Sequence, residues 1–146
     1  MFTFEFCTAT SLGDVRKLLQ ASELPFSDID EHTLKNFLLA ITDNGELAGV
    51  VGLEKYRRHG LLRSLAVQSQ ARNSGLGKEL VRRAELNARE AGIDSLYLLT
   101  TTAAEFFKQL NYLPTDRDKV PIVIARTSEF SHLCPDSAVC LRKSLA

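Results

Sequence analysis

The stretch RNSGLGKEL, residues 72–80, places two glycines and a lysine at the start of an apolar-periodic segment. Glycines let a backbone approach an anion closely, and free N–H groups at a helix start favour a doubly anionic ligand such as a pyrophosphate. The nucleoside-triphosphate pattern G-x-x-x-x-G-K-[ST] fails, because Arg72 stands at its first glycine and Glu79 at its hydroxyl position. The dinucleotide pattern G-x-G-x-x-G also fails, since Leu80 stands at its third glycine.

What remains is the run from Arg72 to Gly77 between a strand and a long helix, and it resembles the R/Q-x-x-G-x-G/A motif with which GNAT N-acetyltransferases bind acyl-coenzyme A. The resemblance covers nearly the whole chain, in the order strand, two helices, three-strand meander, motif helix, parallel strand, helix and final strand. It implies an α/β fold with a mixed antiparallel and parallel sheet, helices on both faces and splayed central strands, as one domain spanning residues 1–146. It also implies acetyl-CoA as co-substrate and no metal.

By this resemblance the strand segment SLAV runs beside the pantetheine arm and bonds it through the backbone of Leu65 and Val67. Thr100, at the end of LYLLT, stands at a polar position that the family uses for the pantetheine, although a threonine beside Thr102 is equally explained by a structural role. The expected coenzyme contacts are Leu65, Ala66, Val67, Arg72, Asn73, Ser74, Gly75, Leu76, Gly77 and Thr100.

Direct acetyl transfer needs a neutral amine, a route for its proton and a donor to the thioester oxygen. The resemblance assigns the oxygen donor to the backbone N–H of Leu65. The candidate proton acceptor is Glu54, a charge that interrupts the apolar run VVGLEKY. If RRHG forms the next turn, Tyr56 faces Leu61 and Glu54 faces Arg63 on the neighbouring strand. With a cation beside it, Glu54 is either a base that acts through water or only a structural partner of Arg63.

Two further roles remain open. Arg63 could instead clamp a substrate carboxylate, as could Arg117 or Arg126 in the irregular segment before the last strand. Many family members protonate the leaving thiolate with a tyrosine in the penultimate helix, but AEFFKQLNY has Phe107 at that position. Either the thiolate leaves unassisted or another acid, Tyr112 or Tyr97, takes this role.

The C-terminal run TSEFSHLCPDSAVCLRKSL, with GLLRSLAV and LYLLTTTAAEFF, resembles the GNAT subgroup associated with arsenic-resistance genes. That resemblance implies acetyl transfer to the primary amine of a small amino-acid-like acceptor, including organoarsenical or phosphinic analogues. Two alternatives stay open: a protein N-terminal or lysine acetyltransferase, and a coenzyme A-binding module without turnover.

Periodicity predicts the elements that position these residues. Phenylalanines alternate in the first strand from Phe2, a helix follows Ser11, and Asn44-Gly45 joins two strands of a hairpin. The helix from Gly75 to Ala91 has one apolar face and ends at Gly92, while SLYLLT reads as a strand covered on both faces. Further predicted features are a capping box from Ser11 to Asp14, a short helix from Asp30 to Lys35, a capping box from Thr102 to Glu105 that opens AAEFFKQL, and a final strand in AVCLRKSL.

The composition of the chain argues against some classes of binding partner. The chain has 146 residues, and its 18 lysines and arginines balance 18 aspartates and glutamates, so we expect neither nucleic acid nor a membrane surface as a partner. No signal peptide or apolar span is recognisable, and three cysteines, Cys7, Cys134 and Cys140, fit reduced thiols, so we expect a cytoplasmic protein. A homodimer is left open.

Overall fold

The computed structural model describes all 146 residues. One seven-stranded sheet carries helices on both faces, as predicted, and the chain folds in α/β order. The strands are β1 Phe2–Phe6, β2 Leu38–Thr42, β3 Leu47–Tyr56, β4 His59–Val67, β5 Ser95–Thr100, β6 Leu113–Pro114 and β7 Val139–Ser144. The helices are α1 Leu12–Ala21, α2 Leu76–Glu90, α3 Ala104–Gln109 and α4 Ile122–Ala125.

The sheet has the order β1-β2-β3-β4-β5-β7-β6, and every neighbouring pair is antiparallel except β4 and β5. That parallel pair joins His59–Leu61 only to Ser95–Tyr97. Beyond Leu61 the two strands separate, which confirms the predicted splay. An open slot therefore forms at the centre of the sheet, and both of its walls are strand backbone.

The turn between β3 and β4 differs from the predicted RRHG turn. It is a two-residue turn of Arg57 and Arg58, with Arg57 at φ 59°, and His59 already pairs with Tyr56. Tight hairpins take such left-handed conformations because they match the twist of the strands. Glu54 consequently faces Leu61, and Gly52 faces Arg63, so the predicted register was wrong by two residues.

A bulge interrupts β4 beside the slot. The register with β3 shifts between Val50 and Gly52, so that Ser64 and Leu65 together oppose Val51 alone. Ser64 has φ 58°, a left-handed conformation that an L-residue rarely adopts. A bulge disrupts the hydrogen-bond ladder and re-aims the strand locally. Leu65, the predicted donor to the thioester oxygen, thus lies at the irregular point of the strand.

Short-range sequence signals predicted most helices, strands and turns correctly, but not the side-chain caps of the helices. The hairpin at Asn44-Gly45 is confirmed, with Gly45 at φ 83° and its N–H donating to the carbonyl of Thr42. Neither predicted capping box forms: the helix after Ser11 has no side-chain cap, and α3 begins at Ala104, where the Thr100 hydroxyl accepts from the N–H of Ala103 at 2.9 Å. The short helix expected from Asp30 is a 3-10 turn, Thr33–Asn36.

Each helix is held by an apolar cluster. On one face of the sheet, Leu80 of α2 packs in a cluster with Leu53 and Leu96. On the other face, Val15 and Leu19 of α1 pack with Phe37. A third cluster joins Leu61 of β4 to Tyr97 of β5 and Ile124 of α4. Arg63 follows Leu61 on the same side of β4, and its guanidinium carbon lies 6.0 Å from the centre of the Phe37 ring. Among the helices of the structure, none is long and apolar enough to cross a membrane.

Candidate active site

The loop before α2 offers a run of unused backbone donors. The N–H groups of residues 73–78 donate to no group within the chain, and α2 has no side-chain cap. The N–H of Arg72 is used, because it donates to the carbonyl of Ser69 at 3.3 Å, so the free amides begin one residue later than the sequence predicted. Free amides at the start of a fifteen-residue helix, with its dipole behind them, form a site for an anion.

The geometry at Gly75 fits a ligand that comes close to the backbone. Gly75 is the N-cap of α2 with φ 82°, and Asn73 before it has φ 64°. A Cβ built on Gly75 meets no atom within 4 Å, so the space beside this backbone is open. Glu79, the one acid in the first turn, is paired with Arg82 and Arg83, and these partners lower its pKa. The loop thus suits a pyrophosphate, and its coenzyme contacts stay a prediction.

From this loop a cavity extends along the slot, which we call the β4–β5 cavity. Its walls are residues 62–67 of β4 and residues 98–100 of β5, with Arg72 at one end and Glu129 among its lining residues. A second cavity, which we call the loop cavity, is lined by residues 23–27, residues 99–102, Glu129 and residues 133–135. The residues that line both cavities are Leu24, Leu99, Thr100, Thr102 and Glu129.

The predicted pantetheine contacts divide between these walls. Leu65, Ala66 and Val67 all line the β4–β5 cavity, and Thr100 lines both cavities. The Thr100 hydroxyl accepts the N–H of Ala103, which is the structural role that the sequence left open. It can still donate its own hydrogen, because a hydroxyl is both donor and acceptor.

Arg63 lies in the β4–β5 cavity at the centre of a carboxylate cluster. Its side chain has no exposed surface. Nη1 donates to Oδ2 of Asp28 at 2.5 Å and to Oε2 of Glu54 at 2.8 Å, and Nη2 donates to Oδ1 of Asp28 at 2.8 Å. Nε donates to the hydroxyl of Ser64 at 3.0 Å and lies 3.3 Å from Oε2 of Glu129. Three carboxylates thus surround one buried guanidinium. Burial alone lowers the pKa of Arg63, but the hydrogen bonds and charges of these carboxylates raise it overall.

Glu54 lies behind Arg63 rather than at the cavity wall. It lines neither cavity, and its Oε1 accepts the hydroxyl of Tyr56 while its Oε2 accepts from Arg63. The expected pair of Glu54 and Arg63 does form, as diagonal neighbours on adjacent strands. With both oxygens engaged, Glu54 is placed to hold Arg63, and its role as proton acceptor stays a prediction.

Sequence reasoning missed Glu129. It lies in a single π-helical turn, Glu129–Leu133, is 5% exposed and lines both cavities. Oε1 accepts from the thiol of Cys134 at 3.6 Å, whereas Oε2 is buried and receives no hydrogen bond. Burial raises the pKa of Glu129 to about 7, because the charged form loses its hydration. The only sequence signal was a charge within the irregular segment between α4 and β7.

This buried carboxyl predicts a pH-dependent stability. Because the folded-state pKa of Glu129 is raised, its protonated form favours folding below about pH 4.5, and this contribution is lost as pH rises to about 7. Over that interval the free energy of unfolding of the wild type should fall by on the order of 3 kcal/mol, at 1.36 kcal/mol per pKa unit. We expect Glu129→Gln not to show this fall. The measurement is urea unfolding of both proteins at pH 5 and pH 8. Equal pH dependence in the two proteins would contradict the shifted carboxyl.

No tyrosine reaches the cavities in the role of an acid. Phe107, at the family's tyrosine position, packs edge to face on Tyr112, and its buried side chain also lines the β4–β5 cavity. The hydroxyl of fully buried Tyr112 donates to Glu85 at 2.8 Å. Tyr97 packs in the third cluster, with Leu61 of β4 and Ile124 of α4, and its hydroxyl accepts from Nε of Arg142. Neither lines a cavity, so these two alternatives are not supported by the geometry.

The predicted substrate contact Arg117 has other partners. Its Nη2 donates to the carbonyl of Pro135 at 2.9 Å, and Nη1 lies 3.8 Å from Asp136. These contacts hold the segment whose Pro135 and Cys134 line the loop cavity. Arg117 lines neither cavity itself, and exposed Arg126 does not either. A direct substrate contact by Arg117 stays a prediction. All three cysteines are free, and Cys140 is buried.

Comparison of the sequence with protein families matches the model of the Acetyltransferase (GNAT) family over residues 10–112. Among curated proteins, the chain is 36% identical over 73 residues to the amino-acid acetyltransferase of Pseudomonas putida strain GB-1 and 38% identical over 73 residues to that of Pseudomonas syringae pv. syringae. Each match covers 50% of this chain and only 16% of the relative's length. It therefore concerns a small part of those enzymes.

Solved structures show the same fold. N-acetylglutamate synthase from Neisseria gonorrhoeae, complexed with coenzyme A and N-acetyl-glutamate, superimposes with a TM-score of 0.86 at 20% identity, over 100% of this chain and 35% of that one. An acetyltransferase of the GNAT family from Staphylococcus aureus Mu50 superimposes with a TM-score of 0.76 at 20% identity, over 100% of both chains.

Proposed function

We propose that this chain, which belongs to the Acetyltransferase (GNAT) family, transfers acetyl from acetyl-CoA to the primary amine of a small amino-acid-like acceptor. The observation that carries the proposal is the β4–β5 cavity, which extends between the separated strands from Arg72, next to the free amides of residues 73–78, to the buried Arg63. A pyrophosphate, an extended amide chain and a reacting amine need these three environments in this order.

The path supports direct attack without a protein nucleophile. No cysteine lines the β4–β5 cavity, and Leu65 stands at the bulge where its backbone can face a thioester oxygen. In the proposed reaction the amine nitrogen forms a bond to the acetyl carbonyl carbon and the carbon–sulfur bond breaks. The electron pair leaves with sulfur as a thiolate, which is a weak enough base to depart without a neighbouring acid.

A small acceptor fits better than a peptide. The loop cavity is lined by residues 23–27 and residues 133–135, together with residues 99–102 at the end of β5. A peptide acceptor needs an open groove on which an extended chain can lie. The loop cavity, of about 430 Å³ and open to solvent, has room for a small molecule between these two segments, and we favour that acceptor over a protein N-terminus or a lysine side chain.

An acidic group on the acceptor would meet Arg63, a guanidinium that three carboxylates of the protein already surround. A buried anion costs several kcal/mol unless a cation meets it. Apart from Arg72 at the coenzyme end, Arg63 is the only lysine or arginine that lines either cavity. Its Nη2 makes one hydrogen bond, to Asp28, and has a second hydrogen to offer. The amino-acid acetyltransferase relatives point to the same acceptor class. On the resemblance of the C-terminal segment, we include arsinic and phosphinic analogues.

A panel of amines tests this function. Release of the coenzyme A thiol is measured at fixed acetyl-CoA with glutamate and similar amino acids, their phosphinic and arsinic analogues, alkyl amines and short peptides. We expect kcat/KM for the best amino-acid-like acceptor to exceed that of an alkyl amine of equal length by about tenfold or more, a difference of about 1.4 kcal/mol. Preference for alkyl amines would overturn the acceptor class, and preference for peptides would favour the protein acetyltransferase. Coenzyme binding without any turnover would leave a binding module.

A further inference from the structure

We infer that Glu129 takes the proton from the acceptor ammonium, and that its Oε2 is the atom to which the ammonium binds. This inference rests on the proposed function. The role is one that the sequence assigned to Glu54, and the structure favours a different carboxylate for it because of where each one lies.

Glu129 lies in the position that a catalytic base needs. Glu129 lines both cavities, which share only a short list of residues, so it stands where the coenzyme side meets the acceptor side. Leu65, the expected neighbour of the thioester oxygen, lines the β4–β5 cavity with it. Glu54 lines neither cavity. A base must come within hydrogen-bond reach of the proton that it abstracts, and only Glu129 is placed for that.

The two carboxylate oxygens of Glu129 differ in their hydrogen bonding. Oε1 accepts from Cys134, and the pKa of that thiol is raised to about 12, so the thiol keeps its hydrogen and remains a donor. Oε2 lies 3.3 Å from Nε of Arg63 but receives no hydrogen bond, although it is buried. Buried carboxylate oxygens are nearly always hydrogen-bonded, whereas Oε2 is held only by ion pairing with Arg63 and lacks a hydrogen-bond donor. The ammonium of the acceptor supplies this donor.

The electrostatics around Glu129 also favour a cationic group on the acceptor. Four groups influence the charge of Glu129: Arg63 of β4 and Cys134 of its own segment contact it, while Glu54 of β3 and Asp28 of the segment between α1 and β2 act through their charge. Three carboxylates against one guanidinium leave the cluster with excess negative charge when all are ionised. A cationic ammonium neutralises part of this excess, whereas a neutral amine does not. Burial raises the pKa of Glu129 to about 7, so it can hold a proton near neutral pH and release it again.

Both protons that leave the acceptor nitrogen have a destination in this reaction. The ammonium gives one proton to Oε2 of Glu129, and the freed nitrogen lone pair forms the bond to the acetyl carbonyl carbon. The carbon–sulfur bond breaks, its electron pair stays on sulfur, and the nitrogen's second proton reaches the thiolate through water. Glu129 then returns its proton to solvent. The products are the acetylated amine, coenzyme A and one proton.

The test is the pH profile of kcat/KM with the best acceptor of the panel. We expect the wild type to show an acidic limb near pH 7, because only ionised Glu129 accepts the proton. Glu129→Gln should lower kcat/KM at pH 8 by about 100-fold or more and abolish this limb, with the acetyl-CoA thermal shift retained. The control is Glu105→Gln on α3, an exposed carboxylate whose only partner is Lys108, and it should leave the profile unchanged.

Two further variants separate Glu129 from other titrating groups. Cys134→Ala removes a donor that lowers the pKa of Glu129, so the limb should move to higher pH. Glu54→Gln removes a negative charge that raises this pKa, so the limb should move to lower pH. Shifts of the acidic limb in opposite directions in these two variants identify Glu129 as the titrating group. If Glu129 had only a structural role, the two substitutions would change the free energy of unfolding and leave the acidic limb of the kcat/KM profile where it is.

The outcomes are distinct. A wild type that turns over while Glu129→Gln keeps its rate and its limb overturns this inference and leaves the proposed function standing. Loss of rate in Glu54→Gln with loss of the limb, and a normal limb in Glu129→Gln, would return the role to Glu54. A wild type that binds acetyl-CoA and acetylates no amine overturns the proposed function and this inference with it.

Discussion

Gly75→Asp should abolish the thermal stabilisation of this protein by acetyl-CoA. A ligand that binds only the native state at 100 times its dissociation constant stabilises it by about 2.7 kcal/mol, which is several degrees of melting temperature for a domain of this size. The Gly75 backbone lies at the free amides of residues 73–78. An aspartate there adds a negative charge at the place where the pyrophosphate would bind, so the stabilisation should vanish.

Gly75→Asn is the matched control. Gly75 has φ 82°, a conformation that asparagine and aspartate tolerate to a similar degree, and its Cβ would meet no atom within 4 Å. The two variants therefore differ mainly in charge. We expect Gly75→Asn to keep most of the shift, and the shift from S-acetyl pantetheine, which has no pyrophosphate, to be equal in both variants. If both variants lose the acetyl-CoA thermal shift equally, the cause is the volume of the added side chain rather than its charge. A shift with ATP and none with coenzyme A would overturn the coenzyme assignment.

The parts of the fold that the sequence predicted correctly depend on short-range signals. Asn44-Gly45 marks a tight turn because Gly45 needs positive φ, and α2 is bounded by Gly75 and Gly92, which both have positive φ. The continuous apolar run of β5 reflects its burial between the α2 and α4 clusters. Each signal lies within a few residues of the feature that it specifies.

The register of β3 and β4 was less predictable. Arg57 adopts φ 59° in a two-residue turn, although an arginine has no intrinsic preference for this conformation. Apolar pairing along β3 and β4 overrides that local cost, since Leu53 and Leu62 pair on the face covered by α2. Such tertiary packing is not visible within a window of a few residues. The bulge at Ser64 escaped notice for the same reason.

The composition of the candidate site could be predicted only in part. The pairing of Glu54 with Arg63 followed from neighbouring strands, and it survived an error of register because diagonal residues still lie within reach of long side chains. Asp28 and Glu129 reach the same guanidinium from irregular segments. No periodicity governs such segments, so nothing in the sequence indicated that these two carboxylates converge on one arginine.

That convergence leads to the other large expected effect, in Arg63→Met. Methionine fills much of the arginine volume and removes the only cation among three carboxylates. Removal of one partner from a buried ion pair costs about 3–5 kcal/mol, because the remaining charge is left without compensation. We expect a loss of this size at pH 8, measured by urea unfolding without ligand. A loss below about 1 kcal/mol, typical of an exposed pair, would contradict the buried cluster.

The pH dependence and a second substitution identify the cause. At pH 5 the loss in Arg63→Met should be smaller, because Glu129, whose pKa is raised to about 7, is then protonated and needs no cation. Asp28→Asn should destabilise the wild type, since it breaks two hydrogen bonds to the guanidinium. In the Arg63→Met background the same change should stabilise, because it removes an uncompensated carboxylate. This reversal of sign in a double-mutant cycle measures the coupling directly. Asp28→Asn effects of the same sign in both backgrounds would mean that lost packing, rather than unpaired charge, accounts for the instability.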